Sequence, residues 1–285
     1  MGEENKVADK MMILQERFKS TKAFVEEGHD IPSIIQFINQ ETDREFVSIA
    51  YEAAAMGLAL RDLKEGTTLD TWQLFLDDYA EQHRVQVYIG LGWACGQQRL
   101  NPNLWVQKLA PLYAWRIWDG YGYYDGFFRK RKVLQGSLPE NISEKELSVY
   151  WQGVGRSFWY TCKGDRDKLQ KIETQIPSNY QLDFWRGIGI ASTYVGGLGL
   201  EECKELWQLA GIHQPQLRAG AGLAIKSRAV ANTIVEDTQI IAKEWCQLPI
   251  LKIIDLLTNK AIDSTVANAM PYHTWIAKLD EAFNI

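Results

Sequence analysis

The sequence predicts an all-α fold, a helical-repeat solenoid of about six helix–turn–helix units, and three observations support this prediction. Pairs of glycines separated by one residue recur at an interval close to 33 residues. The segments between the pairs carry apolar residues at helical spacing, and helix-start and helix-stop residues flank those segments. We therefore expect a single domain over residues 1–285, with an N-terminal cap over 1–45, repeats over 46–235 and a C-terminal cap over 236–285.

The glycine pairs are the strongest signal. About two such pairs are expected by chance from the glycine content, whereas the chain has six. Five are evenly spaced, at intervals of 30, 33, 34 and 33 residues, and a variant at 55–57 (Ala-Met-Gly) lies 35 residues before the first. The first glycines of the five pairs are Gly90, Gly120, Gly153, Gly187 and Gly220. Tetratricopeptide arrays have a similar period of 34 residues, although their consensus is absent here.

The pairs are best explained as packing positions of the inner helices. Small residues two positions apart lie on one face of a strand but on nearly opposite sides of a helix. We favour the helix because small residues on both sides let it pack closely between two neighbours, as the inner layer of a solenoid requires. Each glycine costs about 1 kcal/mol relative to alanine in a helix, and the close packing must offset that cost.

Residues between the pairs predict the remaining helices. Asn101 followed by a proline predicts the start of a helix over 104–118. Ser143 and Glu146 have the spacing of a capping box. Apolar residues at helical spacing predict a further helix over 200–210, ended by a glycine.

Composition excludes several classes of function. The chain has 46% hydrophobic and 24% charged residues, which is ordinary for a globular protein. A net charge of −5 provides no basic surface for nucleic acid. No segment resembles a signal peptide or a membrane span, so we expect a cytoplasmic protein without a membrane partner. The four cysteines lack disulfide or zinc spacing, and packing is their simplest role.

Candidate catalytic residues cluster in the unit that departs most from the repeat, residues 118–128. Asp119 and Asp125 could act as acid and base across a cleft, with Tyr121 and Tyr124 as hydrogen-bond donors. The alternative is packing, in which the acids satisfy buried polar groups and the aromatic side chains belong to the core.

Candidate binding residues stand beside the glycine pairs. In a solenoid, equivalent positions project along one face, so these side chains could line a positively charged inner groove. They could equally form ion pairs within an acidic chain. The five residues of this predicted binding face are Arg156, Trp159, Arg186, Lys226 and Arg228.

No cofactor or metal motif is present in the sequence. The four histidines are far apart and show no metal-binding spacing. The glycine-rich run at 196–199 lacks both the Lys-Ser/Thr of a phosphate-binding loop and the dinucleotide fingerprint. We interpret this run as a turn between two helices.

Four motifs in the repeat region resemble those of an uncharacterised bacterial family whose members often lie beside enediyne and related polyketide biosynthesis genes. The resemblance implies an association with polyketide-type secondary metabolism and no established activity. Family members carry a His followed by an acid where this chain has Tyr124 and Asp125, so a role for that His does not transfer. The motifs are YIGLGWA (88–94), DGYGYYDGFF (119–128), QGVGRSFW (152–159) and WRGIGIA (185–191).

Three functions are compatible with the sequence. The leading hypothesis is a non-enzymatic repeat module that binds a protein partner, such as a synthase or carrier component, through its concave face, because the chain has the repeats and lacks a catalytic signature. An accessory enzyme acting on a polyene or acyl intermediate would use the acids and tyrosines of residues 119–125. A protein that binds or sequesters an apolar small molecule is favoured by the many aromatic residues.

Overall fold

The computed structural model describes residues 5–41, 43–66, 68–140, 142–260 and 272–283. These residues form helices joined by short connections, and no strand occurs among them. The prediction of an all-α fold is confirmed. The more specific solenoid with a tetratricopeptide-like repeat stays a prediction. No helix within the described ranges is long and apolar enough to cross a membrane.

The described residues of the first half of the chain contain nine α-helices. They are α1 (Lys6–Glu26), α2 (Ile31–Glu41), α3 (Val47–Glu65), α4 (Asp70–Tyr79), α5 (Arg84–Gln98), α6 (Asn103–Val106), α7 (Pro111–Ala114), α8 (Arg116–Phe128) and α9 (Lys130–Leu134). The described residues of the second half contain α10 (Glu144–Cys162), α11 (Arg166–Glu173), α12 (Gln181–Val195), α13 (Leu200–Ala210), α14 (Gln214–Val230), α15 (Glu236–Ile241), α16 (Ile250–Asp255) and α17 (Tyr272–Phe283).

Short helical turns connect several of these elements. The 3₁₀ turns precede α3, α5, α12 and α14, and π-helical turns follow α15 and α16. The 3₁₀ turns are Arg44–Phe46, Glu81–His83, Ser178–Tyr180 and Gly211–His213, and the π-helical turns are Ala242–Cys246 and Leu256–Lys260.

Six helices, which we call the inner helices, carry the small-residue pairs and pack against one another in chain order. They are α3, α5, α8, α10, α12 and α14. In the glycine pairs of α5, α8, α10 and α12 the first glycine faces the backbone of the preceding inner helix and the second faces that of the following one, whereas in the last pair Gly220 faces α12 and Gly222 faces the ring of Phe283 in α17. A Cβ on Gly153 would meet the carbonyl oxygen of Asp119 in α8, whereas a Cβ on Gly155 would meet that of Phe184 in α12. The prediction that the pairs are packing positions on opposite sides of a helix is confirmed.

The first inner helix follows the same rule with alanines, in a register two residues from the predicted one. Gly90 faces the carbonyl of Glu52, and in later units the facing carbonyl belongs to the residue directly before the first glycine. Ala53 and Ala55 are therefore the equivalents of the pair. The predicted assignment to Ala55 and Gly57 was wrong, because Gly57 faces a valine side chain of α1 instead.

Two of the local predictions are confirmed and one is wrong. The backbone N–H of Ser143 donates to Glu146 Oε2 at 2.6 Å, which completes the predicted capping box. The helix over 200–210 is present with those bounds. The helix predicted over 104–118 is instead divided among α6, α7 and α8. Pro111 interrupts it because proline lacks the N–H that a helix interior requires.

The terminal helices lie across the two ends of the inner helices. Near its start α1 places Val7 against Gly164 and Gly197, which directly follow the C-terminal ends of α10 and α12. On the other side, Asp280 of α17 accepts a hydrogen bond from Arg186 of α12 at 2.8 Å. The predicted caps thus contact several inner helices, where a solenoid cap would cover only the outermost unit.

The last inner helix also reaches the first ones. Gln86 of α5 donates to Ser227 Oγ of α14 at 2.8 Å, and Arg228 of α14 donates to the carbonyl of Glu45 at 3.3 Å. The row of inner helices therefore curves until its two ends meet. All six helices face a common interior.

Candidate functional site

The packing of the small-residue pairs determines which side chains face the interior. The two residues of each pair face the two neighbouring helices. A third face of the same helix carries three positions: the residue directly before the first member of the pair, and the residues three and seven positions after that first member. These positions share a face because they are four residues apart. We call these positions the inner stripe. They line a cavity of about 140 Å³. Each inner helix contributes at least one stripe residue to its wall, namely Glu52, Ile89, Asp119, Gln152, Tyr194 and Ser227.

Glu52 is the acidic group of this cavity with no ion pair inside the described part of the chain. It lies on α3 and is only 3% exposed. Burial raises its pKa from 4.5 to about 7, while Arg156 lowers it and Asp119 raises it by smaller amounts. The indole nitrogen of Trp93 favours the charged form slightly without a hydrogen bond of normal geometry. A carboxyl with a pKa near 7 can both donate and accept a proton at neutral pH.

Asp119 is held in a chain of polar groups that crosses the interior. Arg156 Nη1 pairs with Asp119 Oδ1, and Gln152 Nε2 donates to Asp119 Oδ2 at 2.6 Å. The hydroxyl of Tyr272, from α17, donates to Gln152 Oε1 at 2.8 Å. The Arg156 guanidinium also lies 5.1 Å from the centre of the Tyr123 ring. With its oxygens occupied in this way, Asp119 is poorly placed to move a proton.

Arg156 remains a cation in spite of its burial. Burial alone lowers the pKa of this guanidinium, but Asp119 and Glu52 outweigh that effect and raise it. Arg156 thus balances the negative charge of one carboxylate and lies close enough to influence a second. The cavity therefore has a fixed positive charge beside a carboxyl that can change its charge.

The structure separates the four predicted catalytic residues. Asp119 lines the cavity, whereas Asp125 accepts hydrogen bonds from Arg99 at 2.6 Å and from Tyr150 at 3.2 Å in a different cluster. Tyr121 lies beneath the Arg99 guanidinium, 4.8 Å from it.

The fourth residue, Tyr124, packs on Phe128 with ring centres 4.8 Å apart. The two acids therefore do not flank one cleft. Tyr121, Tyr124 and Asp125 therefore have the roles of the alternative interpretation, in which the acid satisfies buried polar groups and the aromatic side chains pack.

The predicted binding-face residues are mostly interior. Trp159, Arg186 and Arg228 are fully buried. Arg186 pairs with Asp183 at 2.6 Å and with Asp280 at 2.8 Å, and Arg228 donates to the carbonyl of Thr233 at 2.7 Å. Ion pairing and backbone contacts are thus the roles that the structure gives these two cations.

Arg156 and Lys226 differ from them in lining the cavity. Arg156 belongs to its wall, whereas Lys226 is half-buried and lies at its opening. Of the five predicted residues, Lys226 is the one that solvent reaches most readily.

Sequence reasoning missed Glu52, although the sequence contains a signal for it. Glu52 is the only charged residue between Phe46 and Leu60, a stretch of small and apolar residues. A lone acid in such a stretch is forced into the interior with its helix, and buried acids with raised pKa values cluster at functional sites.

The fold and the site define a class of all-helical protein, in which six helices packed through glycine and alanine surround a cavity with a buried carboxyl. Residues 23–283 match the family model described as "Protein of unknown function (DUF1702)", and the chain belongs to that family. No curated protein and no solved structure matches the chain. The expected membership of an uncharacterised family is confirmed, and the association with polyketide genes stays a prediction.

Proposed function

We propose that this protein binds a small, largely apolar organic molecule in the central cavity and that Glu52 exchanges a proton with it. One observation supports this proposal above the others. Glu52 borders the cavity with no ion pair among the described residues, and its pKa is raised to about 7. A carboxyl that serves only the structure is normally paired, because an unpaired buried charge is costly.

The cavity suits a small apolar ligand. Its volume of about 140 Å³ is close to that of an engineered apolar cavity of about 150 Å³ that binds benzene. Ile49, Ile89, Ile190 and Leu223 supply apolar walls, and Tyr160 supplies an aromatic one. A ligand, or the part of it that enters, would be about the size of six carbon atoms.

The chemistry open to Glu52 is a proton shift. In its neutral form the carboxyl gives a proton to one atom of the ligand, and as a carboxylate it takes a proton from another atom. The net change moves a double bond and needs no oxidant or cofactor. Arg156 would stabilise the carboxylate formed between the two steps, since opposite charges attract strongly in a medium of low dielectric constant.

The resemblance noted in the sequence extends the proposal to the ligand and its setting. A polyene or acyl intermediate of bacterial polyketide metabolism, in the cytoplasm, would supply double bonds on which such a proton shift acts. The curved row of inner helices with connecting outer helices would then be a helical-repeat scaffold that encloses its ligand. This is the accessory enzyme that the sequence left as an alternative, with Glu52 in the role first considered for residues 119–125.

Native mass spectrometry of freshly purified protein tests the binding. We expect a copurified adduct that Ala191→Leu removes, because Ala191 lines the cavity and the larger side chain would fill it. Ala229→Leu, on α14 but outside the cavity wall, is the matched control and should keep the adduct. A wild-type protein without adduct that also binds no probe of six carbon atoms contradicts the proposal.

Deuterium exchange tests the proton transfer separately. In heavy water the adduct should gain deuterium in the wild type and not in Glu52→Gln, which keeps the size of the side chain but cannot ionise. Equal deuterium uptake in both proteins would show that Glu52 is not the acid. Binding without any exchange would reduce the function to sequestration.

A module that binds a protein partner remains a second proposal, supported by the repeat pattern. Its predicted face is largely inaccessible, because Trp159, Arg186 and Arg228 are buried. Pull-down from native lysate with wild type and with Lys226→Met tests it. A partner that depends on Lys226 would support it, and recovery of no partner would contradict it.

A further inference from the structure

The opening of the central cavity has a different character from its interior. It lies where the turn before α5, the start of α8 and the end of α14 come together. Its residues include the exposed Glu81 and Val230 and the half-buried Tyr113, Arg116 and Lys226. Three cations thus stand near the opening: Arg84, which pairs with Glu81 at 4.0 Å, and Arg116 and Lys226, which have no such partner among the described residues.

Arg116 has unused hydrogen-bonding capacity at this opening. Its Nε is buried and makes no hydrogen bond among the described residues. The guanidinium lies 5.9 Å from the centre of the Trp275 ring, a contact that orients the side chain without satisfying its donors. No carboxylate of the described chain forms an ion pair with it. A buried donor left without a partner costs about 1–3 kcal/mol, a cost that a hydrogen bond from Arg116 to an anionic ligand would offset.

Lys226 is in a similar position on the facing helix. Its ammonium donates to the carbonyl of Leu257 at 3.2 Å, and across the described ranges no acid pairs with it. Burial, and then the charge of Arg116, lowers its pKa, which shows that the two cations are close enough to repel each other.

The deeper cations are arranged in the opposite way. Arg156 pairs with Asp119, and Arg186 pairs with Asp183 at 2.6 Å. The fold therefore supplies carboxylates to its buried cations in the interior and leaves two adjacent cations at the opening without one. An anion between Arg116 and Lys226 would remove their repulsion and satisfy the free donors.

We propose that the ligand of the central cavity carries an anionic head group, a carboxylate or a phosphate, which Arg116 and Lys226 hold at the opening. The apolar part of the ligand then extends inward and meets Glu52. This inference rests on the proposed function, because it describes one end of the molecule that would occupy the cavity. It identifies the ligand class as short acids or phosphate esters with a carbon chain of about six atoms.

Isothermal titration with four probes tests the inference on the wild-type protein. The probes are hexanoate, hexyl phosphate, hexan-1-ol and inorganic phosphate. We expect at least one of the two charged six-carbon probes to bind about tenfold or more tightly than hexan-1-ol, since the charge-assisted contacts are available only to an anion. Tighter binding of hexanoate would identify an organic acid, and tighter binding of hexyl phosphate a phosphate ester.

Variants assign the preference to the two cations. Arg116→Met and Lys226→Met should each remove most of the advantage of the anion and leave the affinity for hexan-1-ol unchanged. Lys252→Met, an exposed lysine of α16 away from the opening, is the matched control and should behave as wild type.

Three other results of the titrations would each contradict either this inference or the proposed function. Equal binding of hexan-1-ol and the anions would overturn the inference and leave cavity binding intact. Inorganic phosphate that binds as tightly as hexyl phosphate would also overturn it, because the apolar part would then contribute nothing. Binding of none of the six-carbon probes would instead count against the proposed function. The wild-type comparison needs no variant, so a variant that fails to fold leaves the test intact.

Discussion

Replacing Glu52 by Gln should change the pH dependence of stability in a defined direction. Burial raises the pKa of Glu52 from 4.5 to about 7, so the unfolded chain releases this proton at a lower pH than the folded protein does. The stability that the folded protein gains by keeping Glu52 protonated is therefore fully present below pH 4.5 and is lost as the pH rises through 7. A pKa difference of about 2.5 corresponds to about 3 kcal/mol of unfolding free energy.

Gln has the size of Glu and stays neutral. The variant should match the wild type near pH 4.5 and become more stable than it by up to about 3 kcal/mol above pH 7. Urea unfolding, followed by tryptophan fluorescence at intervals between pH 4.5 and 8, measures the difference. The comparison isolates Glu52, because the other titrating groups are the same in both proteins.

The control is Glu16→Gln in α1, where the side chain is exposed. Substitutions of exposed surface residues usually change stability by no more than about 0.5 kcal/mol, so this variant should stay within that range of wild type. A difference between Glu52→Gln and wild type that does not vary with pH would refute the reasoning. So would a variant that loses stability as the pH rises.

Three further predictions concern stability. Gly187→Ala should lower the free energy of unfolding by about 1–3 kcal/mol, because the added Cβ would meet the backbone of α10. The control Gly66→Ala has open space around the added Cβ and should change the free energy of unfolding little. Equal effects of the two substitutions would contradict the packing argument. Burial lowers the pKa of His83 to about 4, so wild type should lose stability as the pH falls from 6.5 through 4, and His83→Gln should remove that loss in acid urea titrations. Arg156→Met should cost about 3–5 kcal/mol in the same assay, and adding Asp119→Asn should recover part of it; strictly additive effects would argue against the ion pair.

Much of the fold could be predicted from the glycine pattern, because close helix packing requires small residues at fixed positions. Gly153 and Gly155 face different neighbours, as two residues on opposite sides of a helix must. The same reasoning misplaced the pair of α3, where alanines replace the glycines. Ala55 is tolerated there because it packs against Gly90, whose missing side chain makes room for it. A pattern of glycines alone therefore does not reveal a helix–helix contact in which one helix contributes glycine and the other alanine.

The curvature of the inner row was not predictable from the repeats. A repeat fixes the contact between neighbours, and the meeting of α14 with α5 depends on small rotations that add up over the whole row. The hydrogen bond from Gln86 to Ser227 joins residues 141 positions apart, and nothing in either local pattern indicates it. The position of the cavity could therefore not be derived from the sequence.

The candidate site was predicted in part. Asp119 was predicted because it lies in the unusual run of residues 118–128 that departs from the repeat, and it does line the cavity. Its supposed partner Asp125 is six residues further on, which places it about 120° around the helix and about 9 Å along it. That geometry alone separates the two acids. Glu52 was not predicted because it is a single acid in an apolar helix and lies outside the unusual aromatic run of residues 118–128.

The contact between Gly187 and the backbone of α10 limits which substitutions can reshape the cavity. The distance between neighbouring inner helices is set by main-chain atoms, which no substitution can shorten or remodel. The spacing of the inner helices around the cavity is therefore fixed by the main chain, and the shape of the cavity can be changed only through the side chains of the inner stripe. Alanine in place of Gly187 would push α10 and α12 apart, whereas an exchange such as Ile190→Val would enlarge the cavity by one methyl group and leave the contacts between the inner helices intact.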